Sequence, residues 1–232
     1  MLLAGCSSKN LDNSFERVNK SFKEAIKHEM TIAPLLLAGT LYSTGYDKDI
    51  TNHIMTKKYF TLTSKQDDNL REINKLIMYS TILMTGETYS IKAKRVVSNY
   101  LGVKSSSYST TLLNKYIKKE TPNGNDYFAI GSNHAAEPFA SSINTYENLK
   151  QSNITPWVKY PIIATNYGIS SVISLSRVED GGHSFSDQLI SNSVGNFLGV
   201  FFLNLLMNQS TDLLINVDIL SENKMFNLSF KY

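Results

Sequence analysis

Between residues 176 and 187 the chain reads Ser-Arg-Val-Glu-Asp-Gly-Gly-His-Ser-Phe-Ser-Asp. With residues from 184 onward helical, His183 and Asp187 fall one turn apart on the same face. A carboxylate there can take the proton of one imidazole nitrogen and leave the other as nucleophile or base. Arg177 adds a planar, permanently charged guanidinium suited to holding a phosphoryl group under attack. Together these are the parts of a phosphate-transfer site. The same four-residue spacing also arises on helix surfaces as an ordinary hydrogen bond, and both readings stand at this point.

The string has the pattern S-R-x5-H-x3-D, and it resembles the third signature of the type 2 phosphatidic acid phosphatase and vanadium haloperoxidase superfamily. Its flanks, Pro156-Trp157-Val158-Lys159-Tyr160 and the small-residue-rich stretch after Asp187, resemble bacterial periplasmic members. The resemblance implies that His183 accepts the phosphate, that Asp187 orients it and that Arg177 binds phosphate. Ser132-Asn133-His134, with Phe139 five residues after the His, resembles the second signature. That implies His134 as the acid protonating the leaving oxygen, with Ser132, Asn133 and nearby backbone N–H groups on the phosphate. Gly131 stands where Pro is usual, and Asn133 where Gly lets backbone approach an anion. Taken alone, Ser-Asn-His is also an ordinary helix N-cap.

The first signature, K-x6-R-P, is kept only at Pro122, because Asn114 replaces its Lys and Thr121 its Arg. Lys115, Lys118 and Lys119 are the neighbours able to supply charge, and Lys115 and Lys119 are the expected phosphate ligands. An anion held by one Arg instead of three cations loses several kcal/mol of transition-state stabilisation. The resemblance thus implies a phosphatase that needs no metal or cofactor and acts on a phosphomonoester or lipid (pyro)phosphate through a phosphohistidine. The alternative is a catalytically impaired lipoprotein that keeps the fold as a scaffold or anion-binding module.

Composition bounds these readings. The chain has 232 residues, 42% of them hydrophobic, and a net charge of +3, which suits a globular core and argues against a nucleic-acid partner. Four histidines and one cysteine leave no zinc cluster of sensible spacing and no disulfide within the chain. That cysteine, Cys6, lies in Leu2-Leu3-Ala4-Gly5-Cys6-Ser7-Ser8, which resembles a bacterial lipobox whose thiol carries diacylglycerol. Only five residues precede it, with no charged n-region or full apolar h-region, so the resemblance implies a start further upstream as an expectation. The implied location is the periplasmic side of the cell envelope on a lipid anchor, with the outer membrane favoured in a Gram-negative cell.

The elements that must position these residues follow from hydrophobic periodicity. Helices are expected over 14–28, 30–46, 47–57, 68–84, 87–101, 110–119, 134–150 and 156–174, with a buried core helix over 189–207. Thr63 or Ser64 is a cap, Thr85-Gly86 a break, and 102–109 a flexible polar stretch. Asn123-Gly124-Asn125-Asp126 is a turn, Gly195 and Gly199 permit close helix packing, and Trp157 is a packing anchor. Segments 213–219 and 225–232 alternate as a hairpin. The expectation is a mainly α, single-domain helical bundle of the phosphatidic acid phosphatase/haloperoxidase type with a small C-terminal β-hairpin. Residues 1–13 form a leader remnant and tether, 14–210 the helical domain and 211–232 the hairpin.

Overall fold

The computed structural model describes residues 8–124, 127–128, 131–207, 216–218 and 227–229. Helices carry the fold: α1 (Ser8–Lys27), α2 (Glu29–Thr44), α3 (Tyr46–Lys57), α4 (Ser64–Leu83), α5 (Tyr89–Tyr116), α6 (Asn133–Lys150), α7 (Pro156–Glu179) and α8 (Phe185–Met207). Strands β1 (Lys119–Glu120) and β2 (Tyr127–Phe128) pair antiparallel, with Lys119 opposite Phe128. Strands β3 (Asn216–Asp218) and β4 (Asn227–Ser229) form the expected C-terminal hairpin, with Val217 opposite Leu228. The mainly helical class is the one the periodicity indicates. Cys6 and its lipobox-like flanks lie outside the described residues.

Local chemistry sets the helix ends. Thr63 and Gln66 close a capping box at α4, each side chain bonded to the other's backbone N–H. At the end of α7, Gly181 takes φ +69°, and its N–H returns to the Val178 carbonyl.

Four expectations need correction. Helix α1 begins at Ser8, so most of the expected tether is helical. The stretch 102–109 lies within one continuous α5, because Ser106 and Thr110 hydroxyls bond back to carbonyls in the helix and Gly102 packs on α8. Helix α5 stops at Tyr116, which leaves Lys119 on a strand. Helix α7 continues past 174 to Glu179, and α8 starts at Phe185, four residues before the expected 189.

Helix α8 is long and apolar enough to cross a membrane by length and composition. In this fold α1, α2, α5 and α6 all pack against it. Small residues allow the approach. A Cβ on Gly195 would collide with the Ala136 carbonyl oxygen, and one on Gly102 would stand 3.0 Å from Gly199 Cα. The interior is unusually polar, so its hydrogen bonds must close internally. Between α4, α6 and α7, Asn74 donates to the Asn166 side chain (2.7 Å) and Ser170 Oγ (3.0 Å), and Asn166 donates to Thr145 Oγ1 (2.6 Å). This polar seam fixes the register of α4 against α6, on which the site depends.

Candidate active site

His183 sits in the short bend between α7 and α8 and is 7% exposed. Burial pushes its imidazole down to about 4, because a charged ring would lose hydration there. The Asp187 carboxylate pulls the other way, while Arg177, His134 and Lys119 add to the depression. Those four residues come from α8, α7, α6 and β1, yet all lie close enough to His183 to act on its charge. The fold therefore gathers most of the residues singled out in the sequence around one buried, neutral imidazole.

Their individual contacts refine the expectation. Ser184 is the residue before α8, so His183 lies outside the helix and does not share a helical face with Asp187. Asp187 instead closes the helix start: its Oδ2 accepts the Ser184 N–H at 2.9 Å, and its N–H approaches Ser184 Oγ at 3.4 Å. First-turn N–H groups lack helical acceptors, which is why an Asp at this position turns inward. Neighbouring N–H groups are satisfied from α3, Phe185 by Thr51 Oγ1 (3.0 Å) and Ser186 by Asp47 Oδ1 (2.7 Å). Asp187 Oδ1 accepts from Lys119 Nζ at 3.0 Å, and the same ammonium donates to Ser184 Oγ at 3.0 Å.

Lys119 thus contacts Ser184 and Asp187, the residues next to His183 and at the start of α8. Lys115 is exposed on the last turn of α5, its ammonium 6.0 Å from the Tyr116 ring centroid. The two replaced positions have structural uses. With its amide nitrogen facing the available acceptors, Asn114 donates to the Gly131 carbonyl (3.0 Å) and the Thr110 carbonyl (3.2 Å). Thr121 is buried and donates to Asn123 Oδ1 at 2.7 Å. Asn123 in turn ties to the α7–α8 loop, its N–H on the Gly181 carbonyl at 3.3 Å. Gly131 has φ +129°, a conformation that Pro cannot adopt, so its departure from the usual residue has a backbone reason.

Ser132 occupies the N-cap position of α6 but makes no side-chain cap bond there. Its N–H donates to Ser191 Oγ (2.7 Å), and Ser191 Oγ donates to the Asp187 carbonyl (2.8 Å), which fastens α6 to α8 beside the site. Ser132 Oγ and Arg177 Nε are buried with no hydrogen-bond partner among the described residues. Arg177 Nη1 lies 3.4 Å from Asp180 Oδ2. Asn133 opens α6 and is half-buried.

His134 has a partner that the sequence did not reveal. Its Nδ1 lies 2.6 Å from Oδ2 of Asp67, a buried carboxylate in the first turn of α4. One turn further on, Arg71 of α4 pairs with the buried Glu137 of α6. The two contacts form successive rungs between these helices. The Thr63–Gln66 cap marks where α4 starts, but only α4–α6 packing brings Asp67 to His134. Glu179 was also missed: both its oxygens accept the Phe60 N–H, at 2.9 and 3.0 Å, anchoring the loop before α4 to the end of α7.

One other expectation resolves away from this site. Trp157 is 89% exposed at the start of α7 and does not act as a packing anchor. It lines an apolar cleft of ≈ 620 Å³ with Pro156, Tyr160, Pro161 and Ala164, at the opposite end of α7 from Arg177. Among the described residues, no group of His, Cys, Asp and Glu is placed to hold a metal ion. The chain matches no protein-family model, no curated protein and no solved structure.

Proposed function

We propose that the chain is a lipid-anchored phosphatase of the bacterial cell envelope, related to the type 2 phosphatidic acid phosphatases and acting through a phosphohistidine. The observation that carries this reading is the convergence of Arg177, Lys119 and His134 on the buried His183. A neutral imidazole keeps its lone pair for attack, and the surrounding groups suit a phosphoryl anion. Ser132 Oγ and Arg177 Nε, buried without partners among the described residues, are donors suited to its oxygens.

In the proposed reaction, a His183 nitrogen attacks phosphorus in line and forms the P–N bond as the P–O bond to the leaving group breaks. His134 gives a proton to the departing oxygen. The Asp67 carboxylate at its Nδ1 fixes the tautomer and leaves Nε2 facing that task. His134 then takes a proton from water as the water oxygen attacks phosphorus, the P–N bond breaks and phosphate leaves. Lys119 and Asp187 act together, the carboxylate holding the ammonium at the mouth of the α7–α8 loop. The substrate is a phosphomonoester or a lipid phosphate or pyrophosphate.

A second reading has its own support. Lys119 and Arg177 each lie beside a carboxylate, and Asn114 and Thr121 bond within the protein frame. These contacts fit an anion-binding scaffold with little turnover. Phosphate release from a phosphomonoester and a panel of lipid phosphates, compared between wild type and His183→Ala, separates the two. Metal-independent, vanadate-sensitive release abolished in His183→Ala supports the enzyme. Folded wild-type protein that binds vanadate but releases no phosphate supports the scaffold.

A further inference from the structure

Helix α1 packs on the bundle with the wrong face for a core helix. Among its residues of described burial, 14–27, the buried ones are Ser21 and Ala25. Phe15, Val18, Phe22 and Ile26 form an apolar stripe at helical spacing, about a quarter turn round from that buried line. All four are exposed, Phe15 at 75%, although Phe22 touches Phe197 of α8 edge-on with ring centroids 5.4 Å apart. An amphipathic helix ordinarily turns its apolar stripe to the core, so this stripe is available to something outside the bundle.

Helix α2, which packs beside α1, carries a second exposed apolar face. It carries no charged residue from position 30 to position 44, and Ile32, Leu35, Leu36 and Leu37 are all exposed, Leu36 at 65%. A helix apolar on all sides is expected to be covered all round. Here α8, α3 and α1 cover part of it, and Ile32, Leu35, Leu36 and Leu37 are left facing outward.

The charge pattern identifies the partner. Helix α1 holds five cations, Lys9, Arg17, Lys20, Lys23 and Lys27, against three acids, Asp12, Glu16 and Glu24. Lys20, Lys23 and Lys27 are exposed on the arc beyond the apolar stripe. Protein interfaces favour aromatic residues and Arg and are depleted in Lys, whereas helices lying in a bilayer interface combine Phe and Leu on one face with Lys on the other. We infer that α1 and the outer face of α2 form a docking surface for an anionic lipid bilayer, with Phe15, Phe22, Ile26 and Leu36 entering the acyl boundary and the lysines at the headgroups. This inference stands on exposure and charge, and it depends neither on the phosphatase reading nor on acylation of Cys6.

The test is vesicle flotation of the full chain carrying Cys6→Ser, which removes any acyl anchor. Vesicles of phosphatidylglycerol and phosphatidylethanolamine are compared with vesicles of phosphatidylcholine alone. The expected result is flotation with the anionic vesicles, weaker association with the neutral ones, and release by salt. Phe15→Glu and Leu36→Glu alter exposed positions, and a thermal melt confirms that each variant folds. Each is expected to weaken vesicle binding at least about tenfold, the scale of withdrawing one large apolar side chain from the membrane. The inference is overturned by a chain that stays unbound with every vesicle, or by folded variants that bind as the parent does. Equal binding to neutral and anionic vesicles also overturns it, as does a dimer in solution that Phe15→Glu splits, which would make a second copy the partner.

Discussion

Replacing His183 by Gln removes an imidazole that burial holds neutral, and the consequence for stability can be worked from its environment. Burial lowers the ring from 6.5 to about 4. Above about pH 6.5 the ring is neutral in both folded and unfolded chains and contributes no pH dependence. Between about pH 6.5 and about pH 4 the unfolded chain binds a proton that the folded chain does not, so stability falls as pH falls. That difference of about 2.5 pH units, at about 1.4 kcal/mol for each, amounts to about 3 kcal/mol of stability lost by about pH 4. The assay is urea unfolding of wild type and His183→Gln at several pH values from about 7.5 to about 4. Acid destabilises both proteins through their carboxylates, so the quantity of interest is the difference between the two curves. That difference should be flat above about pH 6.5 and then move by about 3 kcal/mol in favour of the variant. Parallel curves across the whole range would refute the claim that His183 is held neutral, and with it the ready nucleophile.

Other substitutions follow from the same geometry. Asp67→Asn should lower kcat about a hundredfold for an alkyl phosphate and far less for a nitrophenyl phosphate, whose leaving oxygen needs no proton. A loss equal for both substrates would mean that Asp67 only supports the fold. Lys119→Met should reduce phosphate-ester turnover about a hundredfold, and Lys115→Ala should leave it within about twofold, measured as kcat/KM. Equal losses would restore Lys115 to the site. Gly195→Ala forces a methyl group against the Ala136 carbonyl at the α6–α8 contact and should cost at least about 1–3 kcal/mol in thermal or urea unfolding.

The helices were largely legible because their apolar spacing and caps are local signals, as at Thr63 and Gln66. The stretch 102–109 was misread because its serines suggest solvent, whereas the hydroxyls of Ser106 and the following Thr110 bond to carbonyls within the helix. His134, His183, Arg177, Asp187 and Lys119 were all visible as chemistry-bearing residues, and the fold brings them together. The bonding of Asp187 was harder to foresee. Ser184-Phe185-Ser186-Asp187 reads equally as a capping box and as part of a His-Asp pair, and only the start of α8 decides between them. Asp67 carried no signal at all. It lies 67 positions before His134, and its role depends on the packing of α4 on α6, beside the buried seam in which Asn74 bonds to Asn166 and Ser170 of α7. The outward stripe of α1 was visible as helical periodicity, but periodicity does not say which way a helix faces.

The most direct test of the account is to trap the intermediate. His134→Ala, mixed with a phosphoryl donor whose leaving group needs no proton and quenched in alkali, would be digested and mapped by mass spectrometry. The account requires phosphate on the peptide containing His183, stable in base and lost in acid, and absent when His183 is also replaced. Turnover of that donor by wild type with phosphate found on no His183 peptide, or found on another residue, would contradict it.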